Sequence, residues 1–195
     1  FLQSGELIGT VMKDVFSNID IYDDQIRLLQ TRFTSPIGKD AIQFYRFYIV
    51  DTVKVDRDSC FHMQFMPNNQ QDFGFRGELW IVKDSTLHVK RCHMQLPLKS
   101  GINFVQNMQI MQTYNRHDDG EWVLTQDDMV AELSLLDFLT KGIIIRNTRM
   151  DGYSFEPLPK KMFKGKMIEV FEPDAKIRSN TYWQQNRLVP LTRAE

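Results

Sequence analysis

The sequence predicts an α+β fold: one curved, mainly antiparallel β-sheet of about seven strands in a meander, covered on one face by N-terminal helices. Before residue 37, apolar residues recur at helical spacing. From Phe44 onward the period changes to two, and clusters of Asp, Asn, Gly and Pro interrupt it at short intervals. With 42% apolar residues in a chain of 195, we expect a single packed core.

Two amphipathic helices are predicted at the start of the chain. In the first, the i, i+3, i+4 stripe consists of Leu7, Ile8, Val11, Met12, Val15 and Phe16. Asp23 or Asp24 can cap the second helix, which ends at Ser35 because the residue before a proline disfavours helical geometry. The apolar face of the second helix consists of Ile26, Leu29 and Phe33.

The period-two region is expected to form the strands of the sheet. Turn formers such as Pro67-Asn68-Asn69 and Asp118-Asp119-Gly120 separate the strands. Strands joined by short turns pair antiparallel, which gives the meander. The predicted strands are Phe44–Val55, Ser59–Met66, Phe75–Lys83, Leu87–Leu96, Ile102–Asn115, Glu121–Leu135 and Gly142–Met150.

One predicted strand shows most clearly that the sheet has a dry face and a wet face. Apolar residues alternate there with amides and Thr113, which is typical of a sheet covered on one side. The dry-face residues are Ile102, Phe104, Met108, Ile110 and Tyr114. They are the candidate surface for an apolar ligand, and the alternative is that they only fill the core. Trp80 and Trp122 are also expected to be buried, since both have apolar neighbours.

Three regions are expected along the chain. Residues 1–36 form the helices, residues 37–155 form the sheet core, and residues 156–195 form an irregular extension or linker toward a downstream module. The period-two pattern ends at Gly152, where prolines and lysines follow. Trp183 stands among polar residues in the extension, so it is a candidate residue for docking on a partner module. The alternative is an incidental aromatic in a loose tail.

Charge and composition exclude several classes of partner. The net charge of −1 provides no field that would attract nucleic acid. No apolar run approaches the roughly 18–20 residues of a membrane-spanning helix, and Phe1–Gly5 lacks the features of a signal peptide. The lysine-rich stretch Lys160–Lys166 is either a solvated loop or a contact with anionic lipid headgroups.

A metal site and a disulfide are both disfavoured by the strand geometry. Cys60 and His62 share a strand face, but Cys92 and His93 point to opposite faces, so the four cannot converge on one ion. In a meander, one strand separates Cys60 from Cys92, a distance of about 9.5 Å. Because a disulfide needs Cα atoms within about 7 Å, we predict two free thiols.

No group of residues predicts catalysis. The Gly-x-Ser-x-Gly, phosphate-loop and dinucleotide motifs are absent. Asp127 and Asp128 are consecutive in a strand and therefore face opposite sides, unlike a catalytic carboxylate pair. A polar edge of the sheet is the simpler interpretation of both. The sequence predicts no enzyme and no cofactor.

Several segments of the chain together have a distinctive order and spacing. The segments are Phe44–Val53, Phe65-Met66-Pro67, Phe73–Ile81, Ile102–Met108, Trp122–Met129, Arg146-Asn147-Thr148, Tyr182-Trp183, Arg187 and Pro190-Leu191-Thr192. Their order resembles that of a family of Bacteroidota outer-membrane proteins of unknown function. The resemblance implies a middle periplasmic region between a carboxypeptidase-regulatory-like domain and a C-terminal β-barrel. The strand pattern is also remotely similar to the outer-membrane lipoprotein carrier fold, in which a sheet shelters acyl chains.

Three functional hypotheses follow. The first is a non-enzymatic binding or interaction module in the periplasm, tethered to the outer membrane, whose partners are flanking domains of the same protein or another envelope component. The second is a carrier-like domain that holds a lipid or other apolar ligand in the concave face of the sheet. The third is a structural spacer. An unfilled apolar cavity would favour the carrier, whereas a fully packed face would favour the module or the spacer.

Overall fold

The computed structural model describes residues 17–28, 31–69, 71–96, 105–136, 140–163, 177–187 and 189–191. The chain divides into two compact units, Phe1–Met150 and Asp151–Glu195. The first unit holds all of the strands described below.

A two-stranded hairpin, not a helix, occupies the position of the second predicted helix. Strand β1 (Gln25–Leu28) pairs antiparallel with β2 (Thr31–Thr34), and Ile26 lies opposite Phe33. The prediction of a helix was wrong because Ile26 and Leu28 fit a period of two, in which both are buried while Arg27 is exposed. The first predicted helix, residues 7–16, lies outside the described residues.

Seven further strands form one open antiparallel sheet, and each strand pairs with its neighbours in sequence order. The predicted meander is therefore confirmed, and the strand ranges agree with the prediction except at their ends. The strands are β3 (Tyr45–Val55), β4 (Asp58–Pro67), β5 (Arg76–Val82), β6 (Val89–Leu96), β7 (Val105–Arg116), β8 (Trp122–Leu136) and β9 (Thr140–Arg149).

The core lies on one face of this sheet, which we call the inner face. Met94, Ile110 and Met129 are cross-strand partners on β6, β7 and β8, and each is at most 1% exposed. They share one buried cluster with Phe33 of the hairpin and with Ile21, which precedes it. Hydrophobic burial therefore holds the segment before β3 against the sheet.

The prediction that helices cover the inner face is wrong for the described residues. The helix of the first unit among these residues is the single turn Ala41–Phe44, which buries only Ala41. The hairpin and the extended segment around Ile19 and Ile21 supply the buried side chains instead. No helix in the described parts of the chain is long and apolar enough to cross a membrane.

The second unit contains a 3-10 turn, Lys160–Phe163, and a short helix, Asn180–Asn186. The Ser179 hydroxyl caps the helix by accepting a hydrogen bond from the backbone N–H of Tyr182 at 3.2 Å. Trp183 packs its ring edge-to-face with Tyr182 and remains 46% exposed. Docking through Trp183 stays a prediction.

Both cysteines are free and buried, which confirms the predicted absence of a disulfide. Cys60 on β4 lies opposite Val82 on β5, and Cys92 on β6 lies opposite Leu79 on β5. Burial raises the pKa of both thiols and so keeps them in the unreactive protonated form.

We expect neither Cys60 nor Cys92 to react quickly with an aromatic disulfide reagent in the native protein at pH 8. Both should react after denaturation without reductant, because the two sulfurs are not bonded to each other. Rapid labelling of one thiol in the native protein would contradict the burial of that residue. The absorbance of the aromatic thiolate that each reaction releases measures both rates.

Candidate interaction surface

The inner face, which the sequence predicts as an apolar ligand face, is filled by the chain itself. Met108 and Ile110 are each 1% exposed and Tyr114 is 6% exposed. All three belong to the buried cluster that includes Ile19 and Phe33. The other two predicted ligand residues, Ile102 and Phe104, lie outside the described residues. The described part of the predicted ligand face therefore offers no surface to a ligand.

A buried polar network crosses the inner face beside these apolar residues. The amide of Gln112 donates hydrogen bonds to the Ile19 carbonyl at 2.7 Å and to the Asp127 carboxylate at 3.3 Å. Tyr114 donates its hydroxyl hydrogen to Gln112 Oε1 at 2.9 Å. The network attaches the segment before the hairpin to the sheet with directional bonds as well as apolar contacts.

Arg146 on β9 completes this network. One guanidinium nitrogen donates to the Ser17 carbonyl at 2.9 Å and another pairs with Asp127. The side chains of Arg146 and Asp127 are 8% and 5% exposed. Burial raises the pKa of Asp127, and the Arg146 guanidinium offsets part of that rise. These bonds join β8 and β9 to Ser17, so the network holds the Ser17 end of the segment in place.

Asp127 and Asp128 face opposite sides of the sheet, as predicted. Asp128 pairs on the outer face with Arg149, whose Nη2 lies 3.1 Å from Asp128 Oδ2. The interpretation of these carboxylates as a polar edge is wrong, because β8 is an interior strand and β9 supplies an arginine to each carboxylate.

On the outer face, a row of side chains runs across four strands, which we call the His62 row. Asp51, His62, Trp80 and Arg91 are successive cross-strand partners. The His62 ring stacks on Trp80 at a centroid distance of 4.9 Å, and its Nδ1 lies 3.2 Å from Asp51. Arg91 lies 6.0 Å from the Trp80 ring centroid. The groups of this row largely pair with each other.

The strand register confirms that Cys92 and His93 point to opposite faces of the sheet. His93 lies opposite Glu78 on the outer face, whereas Cys92 lies opposite Leu79 in the core. Among the residues that the structure describes, no group of three or more Cys, His, Asp or Glu side chains is arranged to hold a metal ion.

The two tryptophans of the sheet are half-buried instead of fully buried as predicted. Trp80 and Trp122 pack against a small outer cluster of Val55, Cys60 and Val82, and Trp122 also packs against the main core. Lys90 approaches the Trp122 ring at 5.5 Å and pairs with Asp58 at 2.9 Å. Both rings lie where the apolar outer cluster meets charged side chains, and this location explains their incomplete burial.

The outer face also exposes apolar side chains near its β9 edge. We call Met111, Val130, Ile143 and Ile145 the outer patch. Ile143 and Ile145 are 68% and 62% exposed, and Val130 lies directly opposite Ile145. This surface was not predicted from the sequence, although the run Ile143-Ile144-Ile145 indicates it. Three consecutive isoleucines make both faces of a strand apolar, while only Ile144 packs against the core.

The fold and these surfaces define a mainly antiparallel β protein with a filled inner face and an apolar patch on its outer face. A family model described as a family of unknown function (DUF5686) matches residues 3–150. The chain therefore belongs to this family. No curated protein and no solved structure matches the chain significantly.

Proposed function

We propose that this chain is a non-enzymatic interaction module of a cell-envelope protein, and that it binds a protein partner through the outer patch. The module works in the periplasm of a Bacteroidota cell and is tethered to the outer membrane by another part of the same protein. This location rests on the resemblance described above. Its partner is a flanking domain or another envelope component.

The observation that carries the proposal is the contrast between the two faces of one sheet. On the inner face, the ligand-facing candidates Met108 and Ile110 are buried under the chain's own hairpin. On the outer face, Ile143 and Ile145 stay more than 60% exposed. Adjacent exposed apolar side chains on a sheet face are typical of surfaces that bind other proteins.

The contrast also ranks the alternatives. A carrier needs an apolar cavity that its ligand can enter. Here hydrogen bonds from the network of Gln112, Asp127 and Arg146 hold the segment that contains Ser17 and Ile19 over the inner face. A pure spacer needs no exposed apolar patch. An interaction module is the hypothesis that uses both features.

Site-specific photo-crosslinking in the full-length protein, expressed in its own host, tests the proposal. We expect a photoreactive residue at position 145 to give a discrete cross-linked product, because the partner covers that side chain. Position 42 is the matched control, since Ile42 is 84% exposed but lies outside the outer patch. The mass of the product distinguishes a flanking segment, a second copy and a different protein.

Equal yields from positions 145 and 42, or no product from position 145, would contradict the proposal. The same residue placed at position 110 should give only intramolecular products, because Ile110 is buried in the chain's own core.

A further inference from the structure

We propose that the chain binds a second copy of itself at the β9 edge of the outer patch, where β9 of each copy pairs antiparallel with β9 of the other about Ile144. This inference rests on the proposed function and names the partner. Seven strands from each copy would then form one continuous sheet. The mode of recognition is strand addition, in which main-chain hydrogen bonds join two sheet edges.

The edge of β9 that faces away from β8 carries few of the devices that normally protect a sheet edge. In the described part of the chain, β9 pairs with β8 alone. Its pairing with β8 is regular from Gly142 to Arg149, with no bulge and no proline. Arg146 and Arg149 both direct guanidinium groups to carboxylates of β8. Arg146 is an inward-pointing charge, but Asp127 pairs with it, and a regular edge strand with the apolar centre Ile143–Ile145 is prone to pair with another strand.

The opposite edge of the sheet differs. There β3 carries a register shift between Ile49 and Asp51 in its pairing with β4. A bulge of this kind twists an edge strand and discourages further pairing. The two edges are therefore not equivalent, and β9 is the one suited to accept a strand.

The sequence of β9 is self-complementary about Ile144. In an antiparallel pair centred there, Ile143 of one copy faces Ile145 of the other on the outer side, twice by symmetry. Gly142 faces Arg146, and Lys141 faces Asn147, so no two like charges stand opposite each other. Direct pairs of branched apolar residues stabilise antiparallel strands, whereas like charges oppose pairing.

Neighbouring registers lose this match. Centring the pair on Ile145 places Ile144 opposite Arg146, and centring it on Ile143 places Ile145 opposite Lys141. Side chains alternate between faces with a period of two. The register about Ile144 also joins the outer patches of the two copies into one surface. A two-fold pair of identical edges closes after two copies.

Sedimentation equilibrium of the chain tests the dimer. We expect a reversible, concentration-dependent rise in mass from 23.0 kDa to twice that value. Ile145→Lys should weaken the dimer by at least about tenfold, because it places two ammonium groups against apolar partners. Ile42→Lys, the control, adds the same charge at an 84% exposed position outside the patch and should leave the dimer unchanged.

Disulfide trapping tests the register. Ile143→Cys and Ile145→Cys are made separately, mixed in equal amounts and oxidised mildly, while the native thiols stay buried. Directly opposed residues satisfy disulfide geometry, but residues offset by two along the strand are about 7–8 Å apart. We therefore expect the mixed disulfide to exceed either same-variant disulfide well beyond the statistical ratio of about two.

Three results would overturn the inference: a chain that stays monomeric at all concentrations, an Ile145→Lys variant that dimerises like the parent, or same-variant disulfides that dominate. Open-ended filaments would also overturn it, since they require β9 to pair with a different edge. If the chain is monomeric but position 145 still cross-links to another protein in the host, only the dimer fails. If position 145 also gives no cross-link, the proposed function fails with it.

Discussion

Replacing Arg146 by methionine is expected to destabilise the first unit by about 3–5 kcal/mol, because it leaves the buried carboxylate of Asp127 without its cation. The two side chains are 8% and 5% exposed, so water cannot substitute for the guanidinium. The Ser17 carbonyl would lose a hydrogen bond as well. Chemical denaturation monitored by tryptophan fluorescence measures the change.

Arg149→Met is the matched control for this variant. Arg149 lies on the same strand and pairs with the neighbouring carboxylate, Asp128, but their side chains are 28% and 22% exposed. A partly exposed pair contributes about 0–1 kcal/mol. Equal losses for the two variants would show that Arg146 has no special role in the buried network.

The loss of stability caused by Arg146→Met is expected to depend on pH. Burial already raises the pKa of Asp127 above its ordinary value, and removing the cation raises it further. When the pKa of a carboxyl is higher in the folded state than its unfolded value of about 3.9, protonation of that carboxyl stabilises the folded state. The destabilisation is therefore smallest below the unfolded pKa and grows as the pH rises through the folded pKa.

Replacing Phe33 by alanine is expected to cost about 3–5 kcal/mol, as is typical of a buried phenylalanine. Phe33 is 1% exposed, and its ring centroid lies 5.3 Å from that of Phe75. The loss would show that the hairpin is part of the core of the sheet. Thermal unfolding followed by near-ultraviolet circular dichroism reports it.

Arg32→Ala is the control for this variant. It tests whether the loss of stability comes from the buried side chain of β2 and not from any change in that strand. Arg32 precedes Phe33 and points outward. Its removal should change stability by no more than about 0.5 kcal/mol. A Phe33→Ala variant as stable as Arg32→Ala would mean that the hairpin does not pack on the inner face.

The sheet could be predicted from the sequence because its strands and turns are each determined by residues close together in the chain. Period-two segments such as Tyr45–Val55 are separated by strong turn formers, and short turns permit little besides a meander. The position of Cys60 two strands away from Cys92 follows from that order alone. For the same reason, the opposite orientations of Asp127 and Asp128 needed only the period of a strand.

The hairpin and the buried network could not be predicted in this way. Ile26 fits a helical face together with Phe33 and an alternating strand together with Leu28, and packing against the sheet decides between the two. The Asp127–Arg146 pair depends on the register of β8 with β9, which two separate segments set together. The hydrogen bond from Gln112 to Ile19 spans 93 residues, a separation at which local patterns carry no information.

Native mass spectrometry of the chain, purified from a host envelope extract without denaturation, tests the central claim most directly. A filled inner face and a protein-binding outer face predict the mass of the polypeptide alone or of its protein complexes, with no lipid attached. Complexes should decrease in Ile145→Lys and persist in Ile42→Lys. A lipid bound in stoichiometric amount, unaffected by Ile145→Lys, would contradict the account and favour a carrier.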